Sequence, residues 1–268
     1  MEDLAQSHLE EWLQGRQDVG GSLLDLENQG IGPEDLRRMG AAEHFGSVKK
    51  LYLSDNGLTD ECLQPLAEMQ GDLHSLYLNQ NLIGDDGARI LAQSPLTRNL
   101  RCLMLEANRI GPAGARSLAE SPHLKNLEEL FLDANPLGAE GVLALATSPH
   151  LPNLKALHLD GTNMGDGGVI ALATSTTLTQ LERLYLCSNH IGDIGALALA
   201  KSGNLQTLRV LSIWRNEIRD AGGKALIDSS TFANLERLYM SLNLIERPRR
   251  KEIRASALAK RLKTLVMD

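Results

Sequence analysis

Side chains suited to acid–base work are few in this 268-residue chain, and the most suggestive group is His158 with Asp133 and Asp160. A histidine between two carboxylates can pass a proton, and Glu106 adds a third acid. No hydroxyl or thiol nucleophile is placed beside them. Cys187 falls about one strand from His158, too loose a relation to assign a reaction. No P-loop, nucleotide-binding glycine fingerprint, G-x-S-x-G, H-E-x-x-H or EF-hand loop occurs. No metal-ligand motif is matched either, so the expectation is no enzyme, no catalytic residue, no metal and no cofactor. Acids on successive strands would lie about 5 Å apart and raise one another's pKa. Two readings of Glu106, Asp133 and Asp160 stand: a solvated acidic strip, or the seat of a basic partner segment.

What positions these residues is a repeat. The chain holds 51 leucines against nine aromatic residues, an excess that calls for a search for internal periodicity. LYLSDNGL at Leu51, LYLNQNLI at Leu76, LMLEANRI at Leu103, LFLDANPL at Leu130, LHLDGTNM at Leu157, LYLCSNHI at Leu184, LSIWRNEI at Leu211 and LYMSLNLI at Leu238 follow in steps of 25 and then 27 residues. A weaker copy, LDLENQGI, begins at Leu24. The L-x-L start has the period of a short strand with one buried face. An asparagine column follows (Asn56, Asn81, Asn108, Asn135, Asn189, Asn216, Asn243), suited to satisfying the backbone of stacked bends. Thr162 and Gln29 interrupt it, and there the ladder should be weaker. Glycines at Gly87, Gly114, Gly141, Gly168, Gly195 and Gly222 read as turn punctuation. Leucine and alanine at helical spacing then predict a short helix, stopped by Ser-Pro at Ser94-Pro95, Ser121-Pro122 and Ser148-Pro149.

The pattern L-x-x-L-x-L-x-x-N-x-I-G-x-x-G-A-x-x-L-A resembles the leucine-rich repeat of the ribonuclease-inhibitor-like subclass. The S-P-x-L-x-N-L return is most similar to that of bacterial cytosolic members. The resemblance covers roughly residues 21–246 and implies an α/β solenoid, a right-handed horseshoe with parallel strands on the concave face and helices on the convex face. It also implies a protein-binding scaffold. Because the subclass includes the Ran GTPase-activating protein, an alternative partner is a small GTPase, with Arg109 the edge arginine able to stabilise phosphoryl transfer. A scaffold or oligomer without a separate partner is the third reading.

Strands about 4.8 Å apart facing helices about 8–10 Å apart must bend the stack into one curved domain. The expected organisation is an N-terminal helical cap over 1–20, nine repeats over 21–250 and a basic capping helix over 251–268. Residues 1–40 carry nine acids and three bases, whereas residues 246–268 carry eight bases and three acids. The basic end lacks interleaved aromatics, and a net charge of −7 disfavours nucleic acid. No apolar run reaches the ~18 residues of a membrane span, the first residues lack a secretory pattern, and three separated cysteines suit no disulfide framework. A cytoplasmic location is expected.

Register places one column in the hollow: Asp25, Tyr52, Tyr77, Met104, Phe131, His158, Tyr185, Ser212 and Tyr239, which includes every tyrosine. Trp214 lies in the adjacent outward column, followed by Arg215. Rings in line are favoured interface anchors, although aromatics also suit strands for their own sake. The partner-binding set is therefore Tyr52, Tyr77, Glu106, Phe131, Asp133, His158, Asp160, Tyr185, Trp214, Arg215 and Tyr239, expected to meet a protein with a basic patch and neither nucleic acid nor membrane.

Overall fold

The computed structural model of the chain describes residues 12–13, 15–41 and 43–268. Each L-x-L start forms a three-residue strand: β1 (Leu23–Asp25), β2 (Lys50–Tyr52), β3 (Ser75–Tyr77), β4 (Cys102–Met104), β5 (Glu129–Phe131), β6 (Ala156–His158), β7 (Arg183–Tyr185), β8 (Val210–Ser212), β9 (Arg237–Tyr239) and β10 (Thr264–Val266). All ten lie parallel in sequence order within one sheet. Their register is that of the repeat, pairing Leu24 with Leu51, Leu51 with Leu76, and so on to Leu238 with Leu265.

Helices alternate with the strands: α1 (Pro33–Gly40), α2 (Asp60–Glu68), α3 (Asp85–Gln93), α4 (Pro112–Ala119), α5 (Gly138–Ala146), α6 (Gly165–Ala173), α7 (Asp193–Ala200), α8 (Asp220–Ile227), α9 (Arg247–Ala255) and α10 (Ala257–Arg261). Leucines from the two layers fill the space between; Leu76, Leu103, Leu130, Leu157, Leu184 and Leu211 are wholly inaccessible. The fold is a β-α solenoid, curved because its strand layer repeats at a shorter spacing than its helix layer.

Three side-chain ladders tie neighbouring units. Asn216 shows the first: its Oδ1 accepts from the N–H groups of Asn189 and Ile191, and its Nδ2 donates to the carbonyls of Leu186, Ile213 and Trp214. Thr162 lacks the amide and donates only to Leu159 O and Asn189 Oδ1. Leu137 N–H turns instead to Asn135 O, and Gly138 takes a left-handed φ of 61°. The ladder is weakened at that interruption.

The second ladder changes the meaning of the glycine column. Asp166 Oδ1 accepts from Gly192 N–H at 2.7 Å and Gly195 N–H at 2.9 Å, capping the next unit's helix from outside. Asp85 and Asp193 do the same for Gly111 with Gly114 and for Arg219 with Gly222. Gly114, Gly195 and Gly222 keep negative φ. They are needed because a Cβ would stand 2.5–2.6 Å from the incoming carboxylate. The column is thus chiefly a socket for a neighbouring aspartate rather than turn punctuation.

The third ladder is serine. Ser94, Ser121, Ser148, Ser175, Ser202 and Ser229 each donate to an alanine carbonyl at the C-terminal end of the preceding unit's helix. Proline follows only three of them, so the constant stop is a hydroxyl bonded across units.

The ends differ from expectation. Residues 1–11 and 14 of the expected N-terminal cap lie outside the described residues. Trp12 and Leu13 are helical, but Gln17 bridges antiparallel to Leu24. Asp18 drives that reversal by accepting from the N–H groups of Ser22 and Leu23. The segment 251–268, expected as one capping helix, is instead the end of α9, then α10 and β10. Leu265 follows Leu238 by the 27-residue step, so apolar spacing that suited one helix also suits two helices and a strand. The basic residues are not simply a solvated face. Arg250 Nε donates to Ile245 O at 2.7 Å, Arg254 donates to Met267 O, and Arg261 donates to Phe232 O at 2.6 Å.

Candidate functional site

The sheet's outward face lines the hollow of the arch, and its central column is set by the residue between the two leucines of each strand. Tyr52 and Tyr77 stack with centroids 4.0 Å apart and planes 4° from parallel. Phe131, His158 and Tyr185 form a second stack at 3.9 and 4.1 Å. Met104 lies between the stacks, and buried Ser212 separates Tyr185 from Tyr239. Parallel in-register strands hold equivalent residues at about ring-stacking distance. Stacking covers the ring faces, so each half-buried ring offers mainly its edge and, for tyrosine, its hydroxyl. Burial, aided by the Tyr52 hydroxyl, pushes the Tyr77 phenol up to about 12. The rings expected in line as interface anchors therefore pack face to face in two stacks, which with Tyr239 make an interrupted ribbon.

The acids have a structural partner that spacing alone did not reveal. Asp133 Oδ1 accepts from Asp160 N–H at 2.5 Å, and Asp160 Oδ1 accepts from Cys187 N–H at 2.6 Å. Asn79 Oδ1 does the same for Glu106 N–H. Each of these side chains extends the ladder one step past the strand end. Burial raises the Asp133 carboxyl to about 7 against its bond from Asp160 N–H, with the Asp160 and Glu106 charges adding to the rise. Asp160 is raised for the same first reason.

His158 Nδ1 stands 3.8 Å from Asp133 Oδ2, beyond a hydrogen bond. Burial and the Arg183 charge lower it to about 4, leaving a neutral ring in the stack. Arg183 reaches across the small Ala156 to Glu129 at 2.5 Å, a pair between next-nearest strands. Cys187 Sγ lies 3.0 Å from Ser212 Oγ, and burial pushes the thiol up to about 11. It is neither ionised nor directed at His158. Trp214 is 40% exposed beside the column. Arg215 belongs to the turn, where its φ is 55° and its N–H donates to Ser241 O. Among the described residues, no group of His, Cys, Asp and Glu is arranged to hold a metal.

Opposed proton linkages follow from this geometry. Between pH 4 and 6.5 the unfolded chain binds more proton at His158, so that residue makes stability rise with pH. At Asp133 the folded chain binds more proton between 3.8 and about 7, so stability falls as pH rises. His158→Phe, which keeps a ring in the stack, should leave a falling profile from pH 4 to 7. Asp133→Asn should tilt the profile from pH 4 to 6.5 toward rising relative to the parent, with the raised Asp160 still opposing His158. Urea midpoints measured across this range check both, and identical profiles in the two variants would contradict the assignment.

No helix among the described residues is long and apolar enough to cross a membrane. Comparison with curated proteins finds no match. The family pattern described as Leucine Rich repeat matches residues 47–67, 98–119, 150–173, 175–200 and 204–226. Each stretch runs from before a strand through the turn to the end of the following helix or within a residue of it, and the chain accordingly carries leucine-rich repeats, folded as a β-α solenoid.

Proposed function

We propose that the protein is a non-catalytic interaction module of the ribonuclease-inhibitor-like kind, and that a protein partner lies in its hollow. Stacked repeats create an extended concave surface of the kind solenoids use for binding. The observation that carries the reading is the aromatic ribbon: Tyr52 with Tyr77, then Phe131, His158 and Tyr185, with Tyr239 and exposed Trp214 beyond. An exposed row of ring edges has little reason to persist uncovered, and tyrosine and tryptophan are frequent anchors of interfaces. Glu106, Asp133 and Asp160 would receive a basic segment, each aspartate through the carboxylate oxygen not held by the backbone. Arg215 and Arg237 would favour an acidic segment further along, so a partner of mixed charge is oriented along the arch. Three free cysteines accord with a reducing compartment, the cytoplasm.

The test is a quantitative cross-linking pull-down from the source cell with a Phe131→Ala, Tyr185→Ala, Trp214→Ala triple variant. Recovery of the specific partner should fall at least ten-fold while the far-ultraviolet circular dichroism is unchanged. Equal recovery with both proteins would defeat the reading.

A further inference from the structure

Exposed aliphatic side chains occur as a row on the middle helices, at Leu143, Ile170 and Leu197, and again in the last full turn. In that turn Leu242 is 57% and Leu244 47% exposed. Leu242 takes a left-handed φ of 54°, a conformation that costs leucine more than glycine or asparagine. The eight earlier units place asparagine, aspartate, glutamine, alanine, glycine, serine or arginine there. Folding therefore gives no reason for a bulky aliphatic at this strained, water-facing position.

The helix that follows carries charge that does not favour the helix itself. Arg247, Arg250, Lys251 and Arg254 of α9 fall at i, i+3, i+4 and i+7, one stripe of like charges that repel. Its first turn holds no acid, although a helix N-terminus favours one. Arg250 Nε donates to Ile245 O, Arg250 Nη1 to Asp268 O, and Arg254 to Met267 O. These bonds hold the stripe beside Leu244 and over the end of β10, and carbonyl partners leave the charge in place. Arg247 and Lys251 are exposed and form no ion pair among the described residues. Over residues 246–268 eight bases outnumber three acids. Of the three, Glu252 is paired with Arg249 on the other flank of the helix, Glu246 sits at the N-cap, and Asp268 follows β10. Asp220, the acid beneath the N-cap, accepts from Glu246 N–H and is preceded by Arg219.

We propose that this end of the arch is a docking surface for an anionic lipid bilayer. Leu242 and Leu244 enter the headgroup layer, and the α9 stripe rests on acidic headgroups. Aliphatic tips flanked by lysine and arginine suit a bilayer interface, which buries apolar surface about 5–10 Å deep. A nucleic-acid backbone would meet the cations but offer nothing to two leucines. The overall charge of −7 does not oppose docking, because the acids gather at the other end of the chain. Charges beyond a Debye length of about 8 Å are largely screened. The surface is separate from the ring column of the hollow, so either reading can fail alone.

The test floats the whole chain with vesicles of phosphatidylcholine and phosphatidylserine in equal parts. It should bind these, and bind pure phosphatidylcholine at least ten-fold more weakly. Molar salt should weaken the binding, since the Debye length there is about 3 Å. Arg247→Gln with Lys251→Gln should weaken it at least ten-fold, each cation near an acidic leaflet contributing about five-fold. Leu242→Ser with Leu244→Asn, residues that these places hold in other units, should weaken it at least five-fold. Neither pair is buried, so neither variant should melt below the parent. Absent binding would overturn the proposal, and so would leucine variants that bind like the parent, which would reduce it to unspecific attraction. A dimer in sedimentation that the leucine substitutions dissolve, or a DNA duplex bound as tightly as the vesicles, would assign the end to another occupant and overturn it as well.

Discussion

Asn216→Ala should destabilise the solenoid by about 3–4 kcal/mol, because Asn189 N–H, Ile191 N–H and Leu186 O lose their partner at a buried site, whereas Ile213 O keeps Asn243 Nδ2 and Trp214 O keeps Ser188 N–H. The side chain is held between the seventh and eighth units, serving Asn189 and Ile191 N–H on one side and three carbonyls on the other. Buried orphan donors and acceptors keep their full desolvation cost. In a stack stabilised by nearest-neighbour interfaces, the loss is local. Unfolding should then separate into two steps, with the units C-terminal to the defect opening first. Trp12 and Trp214 stand near opposite ends of the chain. Urea titration followed by Trp214 emission in a Trp12→Phe background should give a lower midpoint than circular dichroism of the whole. An unfolding free energy within about 0.5 kcal/mol of the parent by both probes would show that the ladder carries no such load.

Gly195→Ala should cost about 2–3 kcal/mol, through steric exclusion of a neighbour's side chain. Its Cβ would stand 2.6 Å from Asp166 Oδ1 and 2.8 Å from Ile191 Cγ2. Accommodating the methyl requires the carboxylate to leave the two N–H groups that it caps. Asp166→Ala alone should cost about 1–2 kcal/mol, the ordinary value of a lost helix cap. The double variant should cost less than the sum by at least about 1 kcal/mol, because the clash and the cap share one carboxylate. Gly203→Ala has open space for its Cβ and serves as the neutral control. Additivity within 0.3 kcal/mol in urea melts would remove the link between Gly195 and Asp166.

These ladders show where reading residues in order succeeds and where it stops. The asparagine column was legible because its seven members share one spacing and one chemistry, and Thr162 could be identified as its break. The aspartate caps were less so, since Asp85, Asp166 and Asp193 each accept from backbone N–H groups 26 and 29 residues later. Their effect appears only when units are stacked. For the same reason the acids of the hollow looked like a free strip, whereas Asp133 and Asp160 each commit one oxygen to the next strand's backbone. At the C-terminal end, Ile253, Leu258, Leu262 and Leu265 fit a helical period, yet Leu265 entered the sheet because the parallel edge of β9 offered it a partner in register.

Periodicity alone determined that this chain would be a curved stack of strand–turn–helix units, and which column would face the hollow. A 27-residue repeat admits one in-register way to bury its leucines. Tertiary structure decided what those columns do to one another: rings joined in a ribbon, carboxylates spent on neighbouring amides, a tenth strand at the basic end, and an apolar row left bare on the helices. Such outcomes depend on distances between units, and a linear pattern specifies the spacing of residues along the chain without fixing how closely two side chains from different turns will meet.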